Sequence, residues 1–150
     1  MGTECNSALS GLKKINSIND FVDAAEFLIR EKYTNPNKLA INGGSHGGLV
    51  VGAAMTQRPD LFKVVISEMG RLDMASLDKY TSGIHHFDEY GNPNNKEEFQ
   101  SMISYSPYHT IKEDVNYPTC LIITSENDDR VPPFQSYKFA ARLQNRTAQK

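Results

Sequence analysis

A Gly-x-Ser-x-Gly pattern at residues 43–47 constrains the fold of this chain more than any other feature. It directly follows the short apolar run Leu39-Ala40-Ile41, which predicts a buried strand. Where a strand turns sharply into a helix at such a pattern, the serine hydroxyl is lifted above the end of a sheet. Glycines on either side then avoid a clash with the neighbouring backbone. The pattern therefore predicts that Ser45 is presented as a nucleophile, with Gly43 and Gly47 allowing the close approach.

Composition limits the classes of protein that fit. A chain of 150 residues, 39% hydrophobic and 23% charged, is long enough for one globular domain with its own core. A net charge of −2 with both signs interspersed excludes a nucleic-acid partner or an anionic membrane surface as the expected function. No apolar run approaches the ~20 residues of a membrane helix. Only Cys5 and Cys120 are present, so we expect no disulfide framework and a reducing, cytoplasmic setting.

Apolar periodicity divides the chain into alternating helices and strands. Residues 1–16 are polar and small, and are expected to form a disordered or truncated lead-in to a single domain at 17–150. Helices are predicted at 21–29, 49–57, 97–103 and 133–144, and strands at 38–42, 62–67 and 119–124. Ser17 or Asn19 is the expected cap of the first helix. This alternation predicts an α/β fold with a parallel sheet and helices on both of its faces.

The two groups needed for serine chemistry follow two of these strands. Ser45 follows the first strand, and the acidic cluster Glu126-Asn127-Asp128-Asp129 follows the third. Because sites in parallel sheets form at the carboxyl ends of the strands, both groups are expected at the same edge. A serine needs a base, and the base needs a carboxylate to orient it. Asp128 is the predicted acid, and Asp129 is the local competitor for that role.

The base of such a site is missing from its expected position. The histidines are His46, His85, His86 and His109, and none of them follows Asp128, although the expected order is serine, acid, histidine. His46 is expected to point its ring away from Ser45 and to offer its backbone N–H to an oxyanion. His85 and His86 are expected at the surface or lining a pocket, and His109 in a structural turn.

Five segments, kept in order, carry a resemblance to a known family. They are Asn42-Gly43-Gly44-Ser45-His46-Gly47-Gly48, Gln57-Arg58-Pro59-Asp60-Leu61-Phe62, Asp78-Lys79-Tyr80-Thr81, Tyr105-Ser106-Pro107 and Asp128-Asp129-Arg130-Val131. Together they resemble the catalytic domain of the prolyl oligopeptidase family from about Gly11 to the end of the chain. The resemblance implies part of an α/β-hydrolase fold and a serine peptidase that cleaves short proline-containing peptides through an acyl-enzyme, without metal or cofactor.

The resemblance also implies roles for single residues. Ser45 matches the nucleophile and Asp128 matches the triad acid. Arg130 matches an arginine that hydrogen-bonds a carbonyl of the bound peptide, although the residues alone favour a surface ion pair with a neighbouring aspartate. Tyr90 and Val131 match residues that line the pocket for the proline side chain.

The chain departs from the family pattern in several places. His86 stands where the family has a tryptophan that stacks on proline, with Phe87 beside it, so strict proline preference is not expected. The family's β-propeller, upstream oxyanion tyrosine and late histidine are not found in this sequence. We therefore expect these 150 residues alone to be inactive, and exposed core surface to favour self-association. The alternatives are another peptidase or esterase of the same superfamily, and a non-catalytic truncated module.

Overall fold

A three-stranded parallel sheet forms the centre of the chain, in a computed structural model that describes residues 7–145. Its strands are β1, Ala40–Gly44, β2, Val64–Glu68, and β3, Thr119–Ile123, and they lie in the order β1-β2-β3. Ile41 pairs with Val65, and Val65 pairs with Cys120. This register brings the carboxyl ends of all three strands to one edge, where Ser45 and the acidic cluster follow β1 and β3.

Helices and turns connect and flank the strands. The helices are α1, Ile15–Arg30; α2, His46–Gln57; α3, Thr81–Ile84; α4, Phe87–Tyr90; α5, Lys96–Tyr105; α6, Pro107–Thr110; and α7, Phe134–Gln144. Short 3₁₀ turns lie at Gly11–Lys13, Pro59–Leu61 and Met74–Lys79. Of the helices within residues 7–145, none is both long enough and apolar enough to cross a bilayer.

The first helix begins earlier than the sequence predicts. It starts at Ile15, and neither Ser17 nor Asn19 caps it, because the Ser17 hydroxyl instead donates to the Lys14 carbonyl at 2.8 Å. Part of the expected irregular lead-in is therefore helical or turn structure from Gly11 onward, while residues 1–6 lie outside the described residues. Packing explains the earlier start of α1, because Ile18, close to its first residue, is fully buried in the core.

The helices cover one face of the sheet rather than both. Ile41 and Val65 point into a core built with α1, α2 and α7, whereas Asn42, Leu121 and Ile123 on the opposite face are exposed in the part of the chain described. The strand order supplies the reason. Because β1, β2 and β3 follow each other in one direction, right-handed crossovers put both connections on the same side.

A second apolar cluster lies beneath the irregular segment at 71–110. Its fully buried members include Ile18 of α1, Leu49 of α2, Met102 and Tyr105 of α5, with Tyr90 only 1% exposed. This cluster joins the first two long helices to the 3₁₀ turn Met74–Lys79, to α4 and to α5. It therefore holds the segment at 71–110 against the helix that begins next to Ser45.

Candidate active site

Ser45 occupies a strained turn between β1 and α2. Its φ of 54° and ψ of −113° lie in a region that L-residues rarely adopt. The Ser45 N–H donates to the Glu68 carbonyl at 2.8 Å, which ties the turn to the end of β2. The following helix begins at His46, three residues before the predicted start, because the turn leads directly into it. The backbone therefore makes the sharp strand-to-helix turn that the sequence predicts.

Close approach at this turn depends on glycines, but not on both of those predicted. A Cβ on Gly43 would lie 2.3 Å from the Gly47 carbonyl oxygen, whereas a Cβ on Gly47 would meet nothing within 4 Å. The prediction is confirmed for Gly43 and wrong for Gly47. The second close approach is made by Gly48, whose Cβ would lie 2.5 Å from the Cα of Gly70. Helix α2 thus packs directly on the chain that leaves β2.

A small cavity of about 90 Å³ brings together most of the predicted site residues. It is lined by Ser45, Met69, Asp128, Arg130 and Val131. The residues come from the carboxyl ends of the three strands, where the sequence expects a site. The hydroxyl and the carboxylate therefore face one space.

The Asp128 carboxylate organises the turn after β3. Its Oδ1 accepts the backbone N–H groups of Arg130 and Val131, each at 2.9 Å. Within residues 7–145 no hydrogen bond reaches Oδ2, which leaves that oxygen available to a further donor. Asp129 is exposed and does not line the cavity. Of the two candidate acids, Asp128 faces Ser45.

Arg130 and Val131 line the cavity in different ways. Val131 is 2% exposed and supplies an apolar wall. Arg130 is exposed, and among the residues described its guanidinium forms no ion pair with a neighbouring aspartate. The alternative interpretation of Arg130 as half of a surface ion pair is therefore not observed. Its donors remain available at the rim of the cavity.

The His46 ring turns toward the segment at 71–110. Its Nδ1 lies 3.0 Å from the Tyr90 hydroxyl and 3.9 Å from Glu89 Oε1. Burial, reinforced by the positive charge of Lys14, lowers the pKa of His46 below 6.5, so the ring is neutral at pH 7. The backbone N–H of His46 belongs to the first turn of α2, where N–H groups have no acceptor within the helix.

Tyr90 is not brought into the Ser45 cavity. Its ring is almost fully buried in the second apolar cluster, and burial raises the pKa of its hydroxyl. Its hydroxyl instead contacts the Nδ1 atom of the His46 ring. His86 lies beside it, with ring centroids 5.9 Å apart and the imidazole side chain 41% exposed. Phe87, the alternative stacking residue, packs against the same cluster.

Several residues next to the site carry no signal in the sequence. Met69 lines the cavity with a left-handed φ of 46°, and its N–H donates to the Ile123 carbonyl at 2.7 Å. The Lys14 ammonium group donates a hydrogen bond to Glu89 Oε1 at 2.7 Å. Arg71 is 2% exposed and stacks on the Tyr90 ring at 5.6 Å. None of these contacts could be found from the sequence, because each forms only in the folded chain.

The described residues contain no cluster of three or more histidine, cysteine or acidic side chains that is arranged to hold a metal ion. The chemistry available at the cavity is that of Ser45, the Asp128 carboxylate, the Arg130 guanidinium and the N–H groups at the start of α2. Such a set suits attack on an acyl carbon with stabilisation of an oxyanion.

Sequence comparison matches a single family over the whole chain. The family model described as the prolyl oligopeptidase family matches residues 1–150. The prolyl endopeptidase of Dictyostelium discoideum is 44% identical over 150 residues, which cover 99% of this chain and 20% of that protein. The prolyl endopeptidase of Elizabethkingia meningoseptica is 43% identical over 144 residues, covering 95% of this chain and 20% of the relative. The chain thus spans about a fifth of the length of these relatives.

Solved structures agree with the sequence comparison. A prolyl endopeptidase structure superposes with a TM-score of 0.93 at 40% identity, covering 96% of this chain and 21% of the other. Prolyl oligopeptidase B of Galerina marginata, in its apo form, gives a TM-score of 0.94 at 38% identity, covering 99% and 21%. These similarities extend over α1 to α7 and the whole sheet.

Proposed function

Because this chain belongs to the prolyl oligopeptidase family, we propose that it carries part of a serine endopeptidase site for short proline-containing peptides. The observation that carries the proposal is the cavity at the sheet edge, which is lined by both the Ser45 hydroxyl and the Asp128 carboxylate. A strained serine turn after β1 and an acid after β3, two strands further along the sheet, are the arrangement that acyl transfer requires.

In the proposed reaction, Ser45 Oγ attacks the carbonyl carbon of the scissile amide. The Oγ proton passes through a base to the leaving nitrogen, the C–N bond breaks, and an ester to Ser45 remains. Water then adds to the ester and releases the acid and the free serine. The His46 N–H at the start of α2 stabilises the oxyanion in both steps, and Arg130 holds a substrate carbonyl. No metal or cofactor is needed for these steps.

The base is the part that this chain does not supply. Asp128 keeps Oδ2 available to orient an imidazole, but no histidine follows it in the sequence. In a triad that acts as a unit, losing one member costs on the order of 10⁶ in kcat. We therefore propose that these 150 residues alone hydrolyse peptides very slowly or not at all.

Labelling with a fluorophosphonate probe tests the proposal, because the probe reacts with an activated serine without requiring turnover. We expect almost no labelling of the chain alone, and labelling at Ser45 that rises when free imidazole supplies the base. A longer protein that contains this chain and a later histidine should be labelled without imidazole. Ser45→Ala should abolish every signal, with Ser125→Ala as the matched control. Strong labelling of the chain alone, or labelling at another serine, would contradict the proposal.

Substrate preference separates the peptidase from a related esterase. In the longer protein, before any labelling, a Gly-Pro p-nitroanilide and a p-nitrophenyl ester of matched length report amide and ester cleavage. Preference for the proline amide supports a prolyl peptidase, whereas indifference to proline supports the esterase. A reducing, cytoplasmic setting is part of the proposal, since the chain carries only two cysteines and no disulfide framework is expected.

We also propose that the chain associates with a second copy of itself. The open face of the sheet carries Val64, Ile66, Leu121 and Ile123. Ile66 pairs with Leu121, and Leu121 is 51% exposed and Ile123 42% exposed. Both β1 and β3 are edge strands of the described sheet, with unpaired backbone groups along their outer sides. Apolar side chains next to an open strand edge favour pairing of two sheets.

Light scattering across a concentration series tests this association. The mass of the wild-type chain should rise from monomer toward dimer with concentration, and Leu121→Lys should lower the apparent association at least tenfold. Leu12→Lys is the matched control, since Leu12 is 48% exposed but lies outside the sheet. A monomer at all concentrations, or an equal effect of the two variants, would contradict the proposed surface.

A further inference from the structure

Arg71 is a buried guanidinium without a carboxylate. It is 2% exposed, and its hydrogen bonds are long: Nη1 lies 3.3 Å from the Tyr80 hydroxyl and Nη2 lies 3.4 Å from Ser82 Oγ. Its Nε is buried and has no partner among residues 7–145. An arginine offers five N–H donors, so most of its capacity is unused. A buried cation in this condition is costly unless an anion reaches it.

Three carboxylates of this region are already paired with lysines. The pairs are Glu89 with Lys14 at 2.7 Å, Asp78 with Lys79 at 2.8 Å, and Asp73 with Lys138. Partial burial opposes ionisation of Glu89, but its hydrogen bond and charge pairing with Lys14 outweigh burial and lower its pKa. Among the described side chains, no carboxylate lies within 4 Å of Arg71, which is held instead over the faces of Tyr80 and Tyr90.

Two residues, Met69 and Tyr90, connect Arg71 to the surroundings of Ser45. Met69, two positions earlier, lines the Ser45 cavity. Tyr90, whose ring centroid is 5.6 Å from the Arg71 guanidinium carbon, bonds His46 at 3.0 Å, and His46 follows the nucleophile. His86 lies on the same tyrosine, so two imidazoles flank it, with side chains 39% and 41% exposed.

The geometry points to Arg71 as a specificity-determining residue that receives a carboxylate of the substrate. The carboxylate belongs to an acidic side chain next to the scissile bond, and the inference rests on the proposed peptidase function. An approaching carboxylate replaces the long Ser82 contact and gains paired N–H donors from the guanidinium, and the His46 and His86 rings lie on the adjacent Tyr90. Ser82 is itself only partly buried.

This assignment adds peptides with an acidic residue before the scissile bond to the substrate class proposed above. A site built only for proline needs an apolar wall, whereas this segment combines a guanidinium with two imidazoles. We expect peptides with glutamate before the scissile bond to be bound in preference to their glutamine counterparts. Proline peptides lack the anion and gain nothing from Arg71.

Binding to the Ser45→Ala chain tests the inference without catalysis. Isothermal titration compares acetyl-Ala-Gly-Glu-Ala-amide with the same peptide carrying Gln or Pro in place of Glu. We expect the Glu peptide to bind at least about tenfold more tightly than the Gln peptide, as a charged hydrogen-bonded pair would give. Arg71→Met should remove this difference, and Arg71→Lys should keep part of it. Arg142→Met is the matched control, since Arg142 also stacks on a tyrosine, at 4.9 Å from Tyr108.

Equal binding of the Glu and Gln peptides, undetectable binding of the Glu peptide at millimolar concentration, or a preference that survives Arg71→Met would overturn the inference. Circular dichroism establishes that each variant is folded. If Arg71→Met does not fold, the Glu-to-Gln ratio of the parent and of Arg71→Lys decides alone. A preference for the Glu peptide would support this subsite, and a failure of the fluorophosphonate to label the longer protein at Ser45 would separately contradict the proposed peptidase function.

Discussion

The Ser45 turn and the segment around Tyr90 lie next to each other but are held by different parts of the chain. Backbone contacts hold the turn: the Ser45 N–H bonds the Glu68 carbonyl, and Gly43 approaches Gly47 without a side chain between them. Side chains hold the segment around Tyr90, through its hydroxyl contact with His46 and the guanidinium of Arg71 over its ring. The first region tolerates almost no added volume, whereas the second depends on single polar atoms.

The largest expected effect of this difference is at Gly43. Gly43→Ala places a Cβ 2.3 Å from a backbone oxygen, which cannot move without distorting α2. We expect the free energy of unfolding, measured by urea denaturation, to fall by about 1–3 kcal/mol. Gly47→Ala is the matched control. Its Cβ enters open space in a helix, and we expect a gain of about 0.5–1 kcal/mol. Similar losses in the two variants would mean that the backbone contact does not hold the turn.

A smaller effect is expected from one oxygen atom at Tyr90. Tyr90→Phe keeps the buried ring but removes the hydroxyl that contacts His46 Nδ1 at 3.0 Å. We expect a loss of about 0.5–1.5 kcal/mol in the free energy of unfolding. Tyr33→Phe should change it by far less, because Tyr33 is 76% exposed. Equal effects of the two variants would show that the His46 contact contributes nothing to holding the segment.

The smallest expected effect is a change in pH dependence. The folded pKa of His46 lies below 6.5, so its contribution to stability is complete above pH 6.5 and is lost as the pH falls through 6.5 toward the folded pKa. We expect His46→Gln to lose less stability than the wild type between pH 7.5 and pH 5.5. His109, whose pKa burial also lowers, keeps part of the slope.

Urea titrations at pH 7.5, 6.5 and 5.5 measure this change, with His85→Gln as the control for loss of an exposed imidazole. An identical pH slope in His46→Gln and wild type would contradict the assignment of a neutral, partly buried His46.

The contrast between the two regions also explains what could be predicted from the sequence. The strand, the turn at Ser45 and the turn at Asp128 are each specified by a few consecutive residues, and parallel strands place both turns at one edge. The sequence therefore predicts the cavity and most of its lining. The position of Tyr90 depends instead on Met102, Tyr105 and Leu49, which are far apart in the chain, so its burial could not be predicted.

Three further features could not be predicted from the sequence, each for its own physical reason. The start of α2 at His46 could not be predicted because Gly47 and Gly48 have low helix propensity. The turn at Ser45 nevertheless fixes His46 as the first helical residue. Coverage of only one sheet face follows from a strand order that never reverses, and alternation of helices and strands does not reveal that order. Arg71 could not be assigned because its neighbours Tyr80, Ser82 and Tyr90 meet it only in the folded chain.

The Lys14–Glu89 pair has a consequence for where the domain can be shortened. Lys14 precedes α1, yet its side chain is only 5% exposed, and its ammonium group neutralises a carboxylate in contact range of His46 and His86. A version trimmed to begin at Ile15 would keep every residue of the serine and aspartate turns. The trimmed version would nevertheless leave Glu89 without the Lys14 cation. The His46 and His86 rings would then be the neighbouring groups left to balance the Glu89 charge. The functional boundary of this domain thus lies upstream of its first long helix.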